Sequence, residues 1–288
     1  MKTDTLHILP KVKFISPYFD AKKITQYQLS IALSETYFHY WVKDSLDNSL
    51  LALESYQLPV EPHCHSIVAN LEIIFAEHDY LKSLKWKNVY ISIDNHSFTL
   101  LPLSLFRKEY TNKYLQLAKG KIIETDEEVR VKTHADLGII NIYSSERQLF
   151  NWFEEVYPLL NLEYQHFASQ LIDFAVRSSK AQTAFLHFGK DSFTMVISIN
   201  GTLKFCNRFH YKTSEDLVYY VLFVMSELEI EPDEIFIRLY GNVDAESVDY
   251  LLLNQYLPKV KIGDIIHENL LENQIEEHRY IGILNVEF

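Results

Sequence analysis

Alternating apolar and polar positions recur along this chain, and their arrangement occurs twice. Alternation with period two, rich in aromatic and β-branched residues, is typical of strands that bury one face. The first copy is made of three strands within Gln28–Tyr56, a helix from Pro62 and a strand at Val89–Ile93. The second is made of three strands within Thr183–Tyr211, a helix over Ser214–Leu228 and a strand at Ile235–Leu239. The pattern therefore predicts a duplicated strand–strand–strand–helix–strand unit.

Turn and capping residues mark the boundaries of these elements. Asp47-Asn48-Ser49 supplies turn chemistry between the second and third strands, and Asn200-Gly201 predicts a tight hairpin because both residues tolerate positive φ. Thr213 or Ser214 is placed to cap the following helix, and Asp244 to cap the last one. These residues favour the same element boundaries as the alternation does.

The segment between the two copies has a pattern of its own. It predicts strands at Phe98–Pro102, Val129–Thr133 and Gly138–Ser144, and helices at Leu105–Ala118, Glu146–Tyr157 and Phe167–Arg177, with a short strand LEYQ between the last two. We interpret residues 1–165 as a first subdomain with an inserted region at about 103–145, and residues 166–288 as a second subdomain. The closing segment HRYIGILNVEF is expected to dock on the second subdomain.

Composition and charge limit the classes of partner. Hydrophobic residues make up 48% of the 288 positions and charged residues 23%, with 7 Gly and 8 Pro, which is ordinary for a folded protein without low-complexity segments. The formal net charge of −12 repels phosphate backbones and anionic lipid. We therefore expect a protein partner rather than a nucleic acid.

Cysteine usage and hydropathy indicate a compartment. Cys64 and Cys206 lie in different copies and form no disulfide framework, which favours a reducing cytoplasm. The first residues lack the apolar core of a secretory leader, and no run of 18 apolar residues occurs. The sequence thus predicts a soluble cytoplasmic protein that does not insert into membranes.

The duplicated unit resembles the superfamily of actin, sugar kinases and heat-shock chaperone ATPases. The segments that carry the resemblance include LSIALSETYFHYWV, YISIDNHSFTLLP, FLHFGKDSFTMVISINGTLKF, EDLVYYVLFVMSELEI, IRLYGNV and HRYIGILN. Within the superfamily the chain is similar to a Bacteroidetes family of unknown function that has an actin-like ATPase fold. The actin-like proteins of pilus assembly are more distant relatives. The resemblance implies an α/β, duplicated ribonuclease H-like fold of two subdomains, each a mixed sheet flanked by helices.

The resemblance also implies where a nucleotide would bind. Each half of the superfamily fold begins with a phosphate hairpin, Asp-x-Gly and small polar residues, in which Gly exposes backbone N–H groups and Asp organises Mg²⁺. The first hairpin here, Ile31–Thr36, has neither Asp nor Gly, and the second has His187 in place of the Asp. The residues at the positions of the nucleotide cleft are Ser34, Thr36, His187, Gly189, Lys190, Asp191, Ser192, Tyr240 and Gly241.

The turn that holds adenosine in the superfamily is reduced as well. It normally carries two or three glycines after the last core strand, whereas Leu239–Val243 contains Gly241 alone. We expect Tyr240 to fill the space of the base. Asp94 and Asp191 are the nearest acids that would replace the missing ones, although both also fit as turn residues.

Other groupings of reactive residues indicate little chemistry. His63-Cys64-His65 is a dense set of possible metal ligands, but His63 and His65 diverge on a regular helix and no second pair accompanies them. Asp126-Glu127-Glu128 is typical of a solvated acidic turn. The first strand of neither copy carries the carboxylates of a ribonuclease H-type nuclease, and the chain has no G-x-S-x-G elbow.

The loss of both Asp-x-Gly motifs alongside a preserved core favours a non-catalytic interaction or scaffold protein that needs no cofactor. The sequence leaves two alternatives open. In one, ATP with Mg²⁺ binds and closes the cleft as a switch, with or without hydrolysis. In the other, the cleft binds a different small molecule through residues such as His187, Lys190 and Tyr240.

Overall fold

A computed structural model describes residues 7–59, 66–178, 181–263, 270 and 272–281. Its contacts divide the chain into unit 1, residues 1–167, and unit 2, residues 168–288, which are described separately. The predicted helix start at Pro62 and the His63-Cys64-His65 group lie outside the described residues, as does the end of the chain beyond Ile281.

Regular elements occupy most of both units. The strands of unit 1 are β1 Val12–Ile15, β2 Tyr27–Leu33, β3 Tyr37–Asp44, β4 Leu50–Gln57, β5 Asn88–Ile93, β6 Phe98–Pro102, β7 Glu127–His134, β8 Ile139–Glu146 and β9 Leu162–His166. Its helices are α1 Ile67–Ala76, α2 Thr111–Lys119 and α3 Arg147–Val156, and α4 Phe167–Ser178 leads into unit 2. The elements of unit 2 are β10 Gln182–Phe188, β11 Ser192–Ile199, β12 Thr202–His210, α5 Ser214–Glu227, β13 Phe236–Gly241, α6 Val248–Tyr256 and β14 Val260–Ile262.

The two units repeat one sheet topology. In unit 1 the order β4-β3-β2-β5-β9 has two antiparallel pairings followed by two parallel ones. In unit 2 the order β12-β11-β10-β13-β14 has the same sequence of pairings. The predicted duplicated α/β fold with a mixed sheet in each half is therefore confirmed.

Unit 1 carries two additions to this shared sheet. Strand β1 pairs antiparallel with β4, so that it adds a sixth strand at the β4 edge of the sheet. Strands β6, β8 and β7 form a separate antiparallel sheet, and Leu115 of α2 packs against Ile140 and Ile142 of β8. Strand β6, which begins at Phe98, belongs to this separate sheet and not to the main one.

Helices α1 and α3 cover one face of the main sheet in unit 1. Leu71, Ile74 and Phe75 of α1 are fully buried there, as is Phe153 of α3. All three tryptophans of the chain, Trp41, Trp86 and Trp152, are buried in this unit. Burial of these side chains is the main stabilising contribution to the unit, about 2 kcal/mol for each large apolar side chain.

A charged network lies inside unit 1 beside β1. The Glu54 carboxylate on β4 is fully buried; its Oε1 lies 2.8 Å from Lys13 Nζ, and its Oε2 lies 3.1 Å from His78 Nε2 and accepts a hydrogen bond from the Tyr56 hydroxyl. Burial alone raises the pKa of this carboxyl group. The hydrogen bonds with His78, Lys13 and Tyr56 outweigh burial and lower the pKa of Glu54 to about 2.

Unit 2 has an apolar core between its sheet and helices α5 and α6. Leu217, Val221 and Val224 of α5 form the predicted apolar stripe and are buried against the strands. Thr213, one of the two residues predicted to cap this helix, caps α5 in a capping box with Asp216. Asn200 and Gly201 have φ of 50° and 75°, which confirms the predicted tight hairpin between β11 and β12.

Two predicted boundaries were wrong. Helix α2 begins at Thr111 instead of Leu105 because Phe106 and Arg107 are extended; they separate a 3₁₀ turn at Leu103–Leu105 from a second one at Lys108–Tyr110, which leads directly into the helix. Helix α6 is capped by Ser247, whose Oγ accepts a hydrogen bond from Tyr250 N, and not by Asp244. The Asp244 carboxylate instead accepts a hydrogen bond from Glu246 N in a local turn.

Candidate functional site

The first candidate hairpin, between β2 and β3, is closed by the side chain of Ser34. Ser34 Oγ accepts hydrogen bonds from the backbone N–H groups of Thr36 and Tyr37, at 3.1 and 3.2 Å. It also lies 3.1 Å from Thr36 Oγ1, and Ser34 N donates to Tyr37 O at 3.0 Å. The N–H groups of this turn are therefore directed at a serine hydroxyl of the same turn.

Asp94, one of the two acids considered as replacements, is bound within unit 1. Its Oδ2 accepts a hydrogen bond of 2.7 Å from the Tyr37 hydroxyl, and its N–H donates to Leu33 O at 2.8 Å. The Tyr37 ring stacks on His39 with 4.3 Å between ring centroids. Asp94 is only 8% exposed, so its carboxylate serves to join the end of β5 to the start of β3.

Glu35 at the tip of the first hairpin is one of three acidic residues that influence one another electrostatically with Glu146 at the centre. Burial raises the pKa of Glu146, and the charges of Glu35 at the hairpin tip and of Asp126 raise it further. The carboxyl groups of Glu35 and Asp126 therefore lie within electrostatic reach of Glu146. Their negative potential at the tip opposes the binding of an anion such as a phosphate group.

The second candidate hairpin joins β10 to β11 through a two-residue turn. Gly189 N donates to Ser192 O at 2.8 Å, and Lys190 and Asp191 are exposed at the tip. A Cβ at Gly189 would lie 3.4 Å from Ser192 O, and the backbone of Gly189 is not in the left-handed region. The glycine is thus not required by the conformation of this turn.

Gly241 at the end of β13 is required where it stands. It has φ of +81°, and a Cβ there would lie 2.3 Å from Phe188 O and 2.9 Å from His187 Nε2. The next residue is hydrogen-bonded to the same strand, since Asn242 N donates to Phe188 O at 2.9 Å. The candidate adenosine turn is therefore packed directly against the end of β10.

Tyr240 is held within the packing of unit 2. Its ring is 3% exposed and lies edge-on to Phe174, with 5.5 Å between the ring centroids. Phe185 stacks at 6.2 Å, and the backbone of Gly263 approaches so closely that a Cβ there would lie 2.0 Å from the Tyr240 ring. This ring contributes to the core beside α4.

A 3₁₀ turn near the chain end, Glu277–Tyr280, covers the candidate adenosine turn. His278 Nε2 lies 2.8 Å from Val243 O, and Arg279 Nη1 donates to Asn242 Oδ1 at 2.9 Å. Burial lowers the pKa of His278, which favours the neutral imidazole. The described part of the closing segment thus contacts unit 2 as the sequence predicted, and it occupies the polar groups of the turn.

Within unit 2 the structure brings several predicted site residues together. His187 and Tyr240 are paired in register, as are Phe188 and Gly241, so that the ends of β10 and β13 meet. Ser34 and Thr36 form the corresponding turn in unit 1. Sequence reasoning missed His278 and Arg279 because nothing in the local pattern near the chain end indicates which turn they bind.

The order of strands and the position of the two hairpins define a protein with an actin-like ATPase fold. A solved Bacteroides thetaiotaomicron protein with this fold and unknown function superposes with a TM-score of 0.78 at 22% identity, over 93% of this chain and 99% of that one. The chain belongs to the family described as "Protein of unknown function (DUF3822)", whose model matches residues 16–260.

A more distant solved structure agrees on the fold alone, and one curated sequence match adds nothing to it. A chain of the PilM–PilN type IV pilus biogenesis complex matches with a TM-score of 0.59 at 11% identity, over 91% of this chain and 99% of that one. A curated subtilisin-like protease, PIMMS2 of Plasmodium berghei, is 24% identical over 143 residues. That match spans 50% of this chain and 16% of the protease, so it gives no activity to this chain.

None of the helices that the structure describes combines the length and apolar character needed to span a membrane.

Proposed function

We propose that this protein is a non-catalytic scaffold or interaction protein of the cytoplasm, built on an actin-like ATPase fold whose nucleotide-binding residues have degenerated. Its function is to present protein-binding surfaces, and it requires neither ATP nor Mg²⁺. The PilM–PilN complex is a precedent for a chain of this fold that assembles with another protein.

The observation that carries the proposal is the closure of the first hairpin by Ser34. A phosphate-binding hairpin needs backbone N–H groups directed at the ligand. Here Ser34 Oγ accepts from two of them, and Glu35, Asp126 and Glu146 place negative charge at the same tip. ATP would have to displace the hydroxyl and approach these carboxylates.

Unit 2 supports the same conclusion. The candidate adenosine turn is packed on Phe188 through Gly241, and its Val243 and Asn242 oxygens are hydrogen-bonded to His278 and Arg279. The residues present do not fit Mg²⁺-nucleotide, since each half has replaced a ligand contact with a contact of its own chain.

Thermal unfolding with millimolar ATP or ADP, each with and without Mg²⁺, tests the proposal. A ligand at one hundred times its Kd adds about 2.7 kcal/mol to the native state, which raises the Tm of a chain of this size by several degrees. We expect no shift with any of the four combinations.

A Mg²⁺-dependent rise in Tm would contradict the proposal and favour an ATP-binding switch. Gly189→Trp would then be the variant that decides the location, because it fills the second hairpin, and a shift that it abolishes would place the nucleotide there. A rise in Tm that persists in this variant would indicate that the nucleotide binds elsewhere. The interpretation of the second hairpin as degenerate would then stand.

A further inference from the structure

A ladder of aromatic rings runs from the edge of the sheet in unit 2 up the side of α5. Phe205 and Phe209 of β12 stack at 6.1 Å between centroids, and Phe209 stacks on Tyr220 of α5 at 5.0 Å. Tyr220 contacts Tyr219 at 5.6 Å, and Tyr219 stacks on Phe223 at 6.0 Å. The ladder therefore begins at a partly buried edge strand and ends on the outer surface of the helix.

The outer end of the ladder is open to solvent. Tyr219 is 62% exposed and Phe223 is 48% exposed, although the opposite side of α5 is fully buried. Paired aromatic side chains on one outer face of a helix are typical of a surface that another protein covers. Tyr and Phe are also among the residues enriched at the centres of protein interfaces.

Acidic residues flank this aromatic pair along the helix. Glu215, Tyr219, Phe223 and Glu227 are four residues apart, so they follow one stripe of α5, which we call the α5 stripe. The stripe spans about 18 Å at a rise of 1.5 Å per residue. Both glutamates are exposed, and neither makes an ion pair with any residue in the described ranges.

The order of charges along the α5 stripe selects against a second copy of this chain. The stripe reads acidic–aromatic–aromatic–acidic in both directions, so either a parallel or an antiparallel pairing of two copies places Glu opposite Glu. Like charges held opposite one another destabilise a helix pair. The net charge of −12 adds to this repulsion.

We propose that the α5 stripe docks an amphipathic helix of another protein that carries a basic residue at each end of an apolar stripe. Lys or Arg of that helix pairs with Glu215 and Glu227, and its aliphatic side chains cover Tyr219 and Phe223. This inference rests on the proposed scaffold function and names the kind of partner. Three helical turns separate the two basic positions, because the glutamates are twelve residues apart.

A pair of synthetic peptides tests this proposal with the full chain. Each has about 18 residues, five helical turns at 3.6 residues per turn, and one leucine stripe; one peptide has Lys at both ends of the stripe and its twin has Glu. Fluorescence anisotropy of labelled peptide measures binding at two salt concentrations. We expect the Lys peptide to bind, its affinity to fall with salt, and the Glu twin to bind at least tenfold more weakly.

Variants of the stripe separate a docking site from general attraction to an acidic protein. Tyr219→Ser with Phe223→Ser should weaken the Lys peptide tenfold or more, whereas Tyr256→Ser on α6, which is 53% exposed, should leave it unchanged. The charge swap Glu215→Lys with Glu227→Lys should reverse the preference in favour of the Glu peptide. Circular dichroism spectra and Tm values verify that every variant is folded.

Three results would overturn the inference. The first is that the Lys peptide binds no better than its Glu twin, and the second is that the charge swap leaves the preference unchanged. The third is that light scattering shows a dimer that Tyr219→Ser dissociates, which would make a second copy the occupant. The nucleotide melts remain independent of these measurements. A peptide failure with flat melts would refute only this partner, whereas a Mg²⁺-dependent melt would refute the scaffold function itself.

Discussion

The third strand of each repeat has a different environment in the two units. In unit 1 this strand is β4, and β1 pairs with its outer side; in unit 2 it is β12, which ends the sheet. Glu54 faces Tyr40 in the β3–β4 register, and Asn207 faces Met195 at the matching place in the β11–β12 register. Glu54 is fully buried, whereas Asn207 is exposed. The matching position is therefore a surface site in unit 2 and, in unit 1, a buried carboxylate that contacts Lys13 of β1 as well as His78 and Tyr56.

Two glycines of the candidate site in unit 2, Gly189 and Gly241, make a second contrast. The family resemblance gives both Gly189 and Gly241 a role in binding nucleotide, yet only Gly241 has a positive φ and no room for a Cβ. The conformation of a glycine, and not its position in a motif, decides what its replacement costs. These two contrasts yield matched pairs of variants.

Replacement of Gly241 should have the largest effect on stability. In Gly241→Ala the new Cβ meets Phe188 O at 2.3 Å in a left-handed backbone conformation, so the strand ends must separate. We expect a loss of about 4 kcal/mol in the free energy of unfolding, the sum of backbone strain and overpacking. Urea unfolding followed by circular dichroism measures it. Gly189→Ala is the control and should cost less than about 1 kcal/mol; equal losses in both variants would contradict the contrast.

Removal of the buried charge in unit 1 should have the second-largest effect on stability. Glu54→Gln removes the anion that Lys13 and His78 contact, and we expect a loss of about 3 kcal/mol, as is usual for breaking a buried ion pair. Asn207→Gln, at the equivalent place in unit 2, should change stability by less than about 0.5 kcal/mol. Urea midpoints of both variants test the pair. Equal losses in Asn207→Gln and Glu54→Gln would contradict the expectation that the buried carboxylate of Glu54 stabilises unit 1.

Acid should weaken unit 1 through the same carboxylate. The pKa of Glu54 is about 2 in the folded protein against an ordinary 4.5, so the native state holds fewer protons in between. Its stabilising contribution is present above about pH 4.5 and is lost as the pH falls towards 2, with about 2 kcal/mol of that loss between pH 5 and pH 3.

Urea unfolding at these two pH values measures the loss. Glu54→Gln should lose about 2 kcal/mol less than the parent chain over this interval, and an unchanged pH dependence in the variant would assign the effect to other groups.

The smallest effect is expected at the first hairpin. Ser34→Ala removes the oxygen that accepts from two backbone N–H groups, and the cost should be about 1 kcal/mol, as for the loss of a helix cap. Thermal unfolding measures the change. Ser192→Ala at the second hairpin is a useful counterpart, because that turn is closed by the backbone of Ser192 and Gly189. A larger loss for Ser192→Ala would reverse the comparison of the two tips.

Much of the fold could be predicted from the sequence because its signals are local. Alternation located the strands of both repeats, and Asn200-Gly201 located a hairpin whose positive φ values follow from those two residue types. The start of α2 could not be located, since Leu105–Lys119 has helical periodicity throughout and only the extended Phe106 and Arg107 interrupt it. The sequence indicated Asp244 as the cap of α6, but Asp244 accepts a hydrogen bond from Glu246 N in a local turn, and Ser247 caps the helix instead.

The candidate site depends on contacts between distant parts of the chain, which sequence patterns do not reveal. Gly241 meets Phe188 across two paired strands, and His278 reaches Val243 from the chain end. The residue types at the two hairpins indicated only how each differs from the Asp-x-Gly pattern that the resemblance implies. They did not indicate that Ser34 Oγ accepts hydrogen bonds from the N–H groups of Thr36 and Tyr37, because a turn with Ser and Thr at this spacing can equally leave its N–H groups to solvent.

The confinement of all tryptophans to unit 1 gives the chain a natural spectroscopic label. Trp41, Trp86 and Trp152 lie in unit 1, and unit 2 has none. Indole emission during denaturation therefore reports the fate of one half only, while backbone ellipticity sums both halves. When the two signals are recorded on one sample, the difference between their unfolding midpoints measures how independently the two units unfold. No extrinsic dye is needed.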